Sequence, residues 1–217
     1  MPLDLAPYLD PTSCGVVVFE CQQMVIGEHG PYPGLVASVR GSGMLDRLAK
    51  FLDEARLAGA AVCYCTVSDR PGGLGAAKNP RHDRSRSMPH SETPVAVDRS
   101  IVPELTPGPN DVIVDRSHGL SGFHGTELDP CLRDLGVKTV IPTGVSANMG
   151  IVGTSIEAVN HGYRLVFAAD CIAGDPPEYA DQMIKYTFRN LGYLSTSTAI
   201  AEVWRSHAQL IAQRDRV

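Results

Sequence analysis

Short apolar runs alternate along the chain with stretches whose apolar residues recur every three or four positions. Val16-Val17-Val18-Phe19 follows Gly15, is rich in β-branched residues, and reads as a buried strand. Leu45, Leu48, Phe51, Leu52 and Ala55 then recur at helical spacing until Gly59. Further strands are expected at Ala61 to Val67, Asp111 to Asp115, Val137 to Thr143, Tyr163 to Ala169 and 192–196. Helices are expected at 126–135, along the face made by Met149, Val152, Ile156 and Val159, at 178–189 and at 198–212. Residues 68–110 carry Gly, Pro and charge without a period, a long loop of the kind that forms a lid or a site. This alternation predicts an α/β protein: one domain over 1–217, a three-layer α-β-α sandwich around a mostly parallel six-stranded sheet.

Composition narrows the function classes. With 217 residues, 43% hydrophobic and 20% charged, the chain can bury a full core, and disorder or collagen-like repeats are excluded. The longest apolar run is the six residues Ala60 to Cys65, far below the ~18 of a membrane helix. No basic start precedes an apolar stretch, so a cytoplasmic protein without secretory signal or membrane partner is expected. The net charge of −5 argues against nucleic acid. One stretch opposes it: Arg70 to Arg86 holds five cations and one anion, which reads either as a solvated loop or as an attractor for an anionic small molecule. Cys14, Cys21, Cys63, Cys65, Cys131 and Cys171 mostly lie in or beside apolar runs, as free thiols do in a reducing compartment. No second Cys pair or His cluster stands at zinc spacing from Cys63-Tyr64-Cys65.

In open α/β sheets ligands bind beyond the carboxyl ends of the strands, so the residues just after each strand carry the candidate chemistry. The first strand ends in Glu20-Cys21-Gln22. A carboxylate at the mouth of an apolar strand is partly desolvated and suited to proton donation, or it caps a neighbouring loop. The third strand ends in Arg116-Ser117-His118. Arg116 can hold an anion, and His118 reads either as a proton shuttle or as a structural residue. Thr126, three residues before Asp129, reads as a helix cap. The fourth strand runs through Gly144-Val145-Ser146-Ala147-Asn148-Met149-Gly150 into a helix whose first N–H groups suit an anion or oxyanion. Gly150 weakens that helix, which implies a close neighbour or a substrate against the backbone.

These pieces, in this order, resemble the isochorismatase-like (cysteine hydrolase) superfamily over nearly the whole chain. The family's opening Asp-x-Gln is met by Glu20-Cys21-Gln22. Its Lys followed by Ser-Ala-Phe-x-Gly-Thr-x-Leu is met by Arg116 and then Ser121-Gly122-Phe123-His124-Gly125-Thr126-Glu127-Leu128. Its Gly-Val-x-x-x-x-Cys turn is met by Gly144 to Gly150, and its Ala-x-x-x-Gly-Tyr by Ala158 to Tyr163. The resemblance implies the isochorismatase-like hydrolase fold, a small-molecule, anionic substrate, and a homo-oligomer. It places Glu20, Arg116 and Gly150 where the family's amidohydrolases keep an Asp-Lys-Cys triad; an ungapped alignment puts Ser117 rather than Arg116 at the Lys. Gln22, His118, Phe123, Ser146, Asn148 and Met149 then line the substrate site.

Glycine offers no nucleophile, so thiol chemistry at position 150 is impossible. A thiol restored there would stand in the first turn of a helix, where N–H groups would make it reactive provided it is accessible. The nicotinamidase branch adds an Asp/His metal site after the second strand. The stretch here, 68–73, has no His, and neither metal nor other cofactor is expected. The isochorismatases proper also lack the Cys. Their turn is Gly-Val-Tyr-Ala-His-x-Gly, with Ser146 here for the Tyr and Asn148 for the His. They hydrolyse a vinyl ether with an acid and water, a role open to Glu20. Three readings follow: a hydrolase working without a cysteine nucleophile, a non-catalytic binder of small molecules, and an amidohydrolase with a displaced thiol at Cys21 or Cys65.

Overall fold

A computed structural model describes residues 4–28, 30–68, 70 and 98–214. Its centre is a parallel sheet built from β1 (Cys14–Phe19), β2 (Ala61–Val67), β3 (Val112–Arg116), β4 (Thr139–Val145), β5 (Arg164–Ala168), β6 (Ile172–Ala173) and β7 (Tyr193–Ser195). Spatial order is β3-β2-β1-β4-β5-β7, with the two-residue β6 paired to β4 off this path. Among the described residues the six expected strands make up this path and β6 adds a seventh; a two-residue strand is too short to leave a pattern in the sequence. Each of these strand pairs is parallel, as successive helical crossovers require. The order turns back between β1 and β4, so the crevice where ligands bind in such sheets opens beside the ends of these two strands.

Alternation along the strands makes two cores. Val16, Val18, Val62 and Tyr64 face one layer with α2 (Pro33–Ser42), α3 (Met44–Ala58) and the last helix, Ser197–Arg214. Val17, Phe19, Cys63 and Cys65 face the other, with Leu128 and Leu132 of α4 (Leu128–Asp134) and Ala158 of α5 (Val152–Asn160). A single turn, α1 (Gln23–Ile26), leads from β1 towards α2. Neither α1 nor α2 is marked by a clear apolar period in the sequence. The end of the expected long loop is packed rather than free: Val102 and Leu105 are buried, and Gln22 forms an antiparallel bridge to Ile101.

Two helical expectations change. The helix expected to begin at Thr126 begins at Leu128, and Thr126 caps it by accepting from the Leu128 N–H at 3.2 Å. Of the expected apolar face, Met149 before α5 and Ile156 and Val159 within it are 47, 46 and 41% exposed, while Val152 is partly buried against the core. The sheet is met instead by Ile151, Thr154, Ser155 and Ala158. Small side chains let the helix approach closely, and Thr154 is satisfied by accepting from the Gly122 N–H at 3.0 Å. Among the described residues no helix is long and apolar enough to cross a membrane.

Candidate active site

At the mouth of the sheet the Arg116 guanidinium donates to Glu20 Oε1 and forms an ion pair with it. Its other contacts are the Thr66 carbonyl at 3.3 Å and the Gly119 carbonyl at 3.4 Å. The Arg116 side chain is 3% exposed and that of Glu20 21%, so the carboxylate is the end of the pair that reaches solvent. Arg116, not Ser117, meets Glu20; the Ser117 hydroxyl lies 3.4 Å from His118 Nδ1. Glu20 has φ 50°, a left-handed conformation that costs a non-glycine residue about 1–3 kcal/mol and concentrates at functional sites. Its N–H donates to the Cys65 carbonyl at 2.9 Å, and its own carbonyl accepts from the Gln22 N–H at 2.8 Å. The backbone therefore holds the carboxylate in place.

Beneath the pair lies the Phe19 ring, with the Arg116 guanidinium 4.7 Å from its centroid. Gly150 lies against one edge of that ring, in a wide helical turn (Ala147–Ile151) leading into α5. A Cβ at 150 would fall 2.6 Å from Phe19 Cδ1, 3.0 Å from Cζ and closer still to Cε1. Gly122 lies at the opposite edge: a Cβ there would be 3.5 Å from Cε2 and 2.9 Å from Cys65 Sγ. Gly150 therefore has a packing reason to lack a side chain, and a thiol restored there cannot enter without moving Phe19. The access on which the reactivity of such a thiol depends is thus taken up by the Phe19 ring.

The expected substrate-binding residues divide. Gln22 is buried, and its amide clamps backbone: Nε2 donates to the carbonyls of Val67 (3.1 Å) and Arg99 (2.8 Å), while Oε1 accepts from the Val67 N–H (2.8 Å). Both its donors are consumed, so it reads as a structural tie rather than a ligand group. Phe123 is also buried, stacked on His161 at 5.1 Å and tilted to Tyr163 at 5.9 Å, in the core below α5. Its hydrophobic bulk is satisfied there. His118 is half-buried in the loop after β3, edge-on to His124 at 6.0 Å. Ser146, Asn148 and Met149 lie in the turn that follows β4. The Ser146 carbonyl accepts from the N–H groups of Met149 and Ile151, both at 3.1 Å, and Asn148 Nδ2 donates to the Asp175 carbonyl at 3.4 Å. Sequence reasoning missed Phe19, Gly122 and Thr154. The available signal was a large aromatic at a strand end coinciding with two loop glycines.

Cys21 and Cys65 are both buried, and burial pushes their thiols well above the ordinary range. Such groups are inert as nucleophiles because the thiolate is the reacting form. Among the described residues no group of three or more His, Cys, Asp and Glu side chains could hold a metal ion. Asp69, 71–73 and nearly all of the basic run 70–86 lie outside the described residues. Two surface concavities, about 230 and 290 Å³, contain none of Glu20, Arg116 and Gly150. The first, lined by Arg133, Lys138, Tyr163 and Arg164 among others, opens at the opposite end of β4 and β5.

Residues 14–199 match the Isochorismatase domain. The ureidoacrylate amidohydrolase RutB of Methylobacterium radiotolerans is 27% identical over 183 residues, 78% of this chain and 70% of that protein. The isochorismatase family protein YwoC of Bacillus subtilis is 25% identical over 169 residues, 78% and 87% of the two chains. Among solved structures, a cysteine hydrolase from Pseudomonas syringae pv. phaseolicola superposes with a TM-score of 0.75 at 22% identity, covering 95% of this chain and 96% of that one. The N-carbamoylsarcosine amidase of Thermoplasma acidophilum superposes at 0.64 and 20% identity, covering 85% and 96%. At these identities the structural likeness speaks to the fold.

Proposed function

The chain belongs to the isochorismatase family of hydrolases, and from that premise we propose that it works without a cysteine nucleophile, on a small carboxylate, with Glu20 transferring the proton. The observation that carries this reading is the Phe19 ring packed against Gly150 while the Glu20–Arg116 pair stays intact above it. The thiol position is filled with hydrocarbon; the charged machinery is kept. A vinyl-ether carboxylate fits such a site best, because its hydrolysis needs an acid and water but no covalent intermediate.

The steps follow from the pair. A substrate carboxylate that reaches Arg116 replaces Glu20 as the partner of a guanidinium that cannot be left unpaired when buried. A protonated Glu20, no longer bound to the guanidinium, is then the acid beside the substrate. Glu20 then gives that proton to the terminal vinyl carbon. Water adds to the resulting oxocarbenium carbon, the hemiketal breaks to a ketone and an alcohol, and solvent returns the proton to Glu20. Ureidoacrylate, named for the amidohydrolase relatives, is also a small carboxylate, so that substrate class belongs in the same screen.

Turnover of small vinyl-ether and ureido carboxylates by Glu20→Gln tests the assignment. Product formation is expected to fall at least about 100-fold, the usual worth of a positioned acid. Unchanged turnover would remove Glu20 from the chemistry. A second reading, non-catalytic binding, is favoured by the resting engagement of Glu20 with Arg116. Ligands that raise the unfolding temperature of the wild-type chain without being cleaved would establish it instead.

A further inference from the structure

We infer that Phe19 closes the nucleophile position: its ring, edged by Gly150 and Gly122 and covered by Arg116, takes the space into which a side chain at 150 would project. The inference rests on the alignment that puts Gly150 at the family's nucleophile, and it deepens the reading of a thiol-free site.

Three elements meet at this point. Phe19 ends β1, Gly122 lies in the loop after β3, and Gly150 lies in the turn after β4. Cε1 of the ring faces Gly150 and Cε2 faces Gly122, so the two glycines bracket opposite edges of one aromatic. The family motif has Ala where Gly122 stands and Cys where Gly150 stands. Both are larger: a Cβ at 150 overlaps the ring, whereas one at 122 stands at an ordinary 3.5 Å from Cε2 and is opposed instead by Cys65 Sγ at 2.9 Å. Phe19 is fully buried, so the filled space is core and not pocket. Loss of the thiol is therefore tied to the Phe19 ring, and restoring Cys alone does not restore the site. Phe19 also supplies the surface on which Arg116 rests, which makes it a positioning residue for the Glu20–Arg116 pair.

The decisive property is the sign of the response at 150. Adding one methyl group to a filled core destabilises, whereas adding it to a cavity stabilises. With Phe19 present, Gly150→Ala is expected to lower the unfolding temperature by roughly 3–10 °C, as overpacking does in a chain of this size. In a Phe19→Val background the same change is expected to raise it. The helix preference for Ala over Gly acts in both backgrounds and cancels in the comparison. Should Phe19→Val not fold, Phe19→Leu carries the same comparison. Equal responses to Gly150→Ala in the two backgrounds would overturn the inference. The measurement does not use turnover, so it stands whether or not Glu20 proves to be the acid.

Discussion

A guanidinium that is 3% exposed must find its counter-charge inside the protein, and at the mouth of β3 Glu20 supplies it. Removing one partner strands the other. Arg116→Met is expected to cost about 1–3 kcal/mol, less than the 3–5 of a wholly buried pair because Glu20 reaches water. Adding Glu20→Gln to that variant is expected to cost less than the sum of the two single changes, a coupling read from urea midpoints. Strict additivity would mean that the ion pair contributes nothing. Glu20 and Arg116 were legible in the sequence because packing alone rarely sets a charge directly after an apolar strand. Gln22 and Phe123 sit in equally suggestive places, yet their polar and apolar groups are used up by Val67, Arg99, His161 and Tyr163. The role of Phe19 depends on glycines more than a hundred residues away, and no local pattern records such a contact.

At the scale of elements, the strands were legible because their apolar runs are continuous and bounded by Gly or charge. The orientation of α5 was not. Met149, Ile156 and Val159 form a regular stripe, but a helix can lie close to a sheet through small residues, and here the Thr154 hydroxyl is satisfied by the Gly122 N–H. Thr154→Val tests this. It removes the acceptor for the buried Gly122 N–H and is expected to cost about 1–3 kcal/mol in a denaturant titration. Ile156→Ser, on the exposed stripe, is expected to change stability by no more than about 0.5 kcal/mol. The reverse ranking would mean that the helix presents its other face to the sheet.

For the whole molecule, the strand order explains why residues distant in sequence form one site. The turn-back between β1 and β4 brings the end of β1 beside the turn that carries Gly150, and β2 carries β3 and Arg116 on the other side. The same burial that builds the two cores sets a limit at high pH. It holds the thiols of Cys14, Cys63 and Cys171 up at about 12, above their ordinary 9.0. The native chain keeps these protons while the unfolded chain gives them up. Their contribution is therefore complete below about pH 9 and declines as pH rises towards 12, by up to about 1.4 kcal/mol per unit for each thiol. Urea midpoints at pH 8 and pH 10.5 are expected to show that fall; equal midpoints would contradict it. Everything proposed for the site turns on chemistry without a thiol, and turnover by Cys21→Ala/Cys65→Ala of a substrate that the wild-type chain cleaves puts it to the test. Retention of the wild-type rate within about twofold is the expected result, since neither sulfur touches the reaction. Loss of turnover with an unchanged unfolding temperature would contradict thiol-free chemistry and locate the nucleophile in one of those two residues.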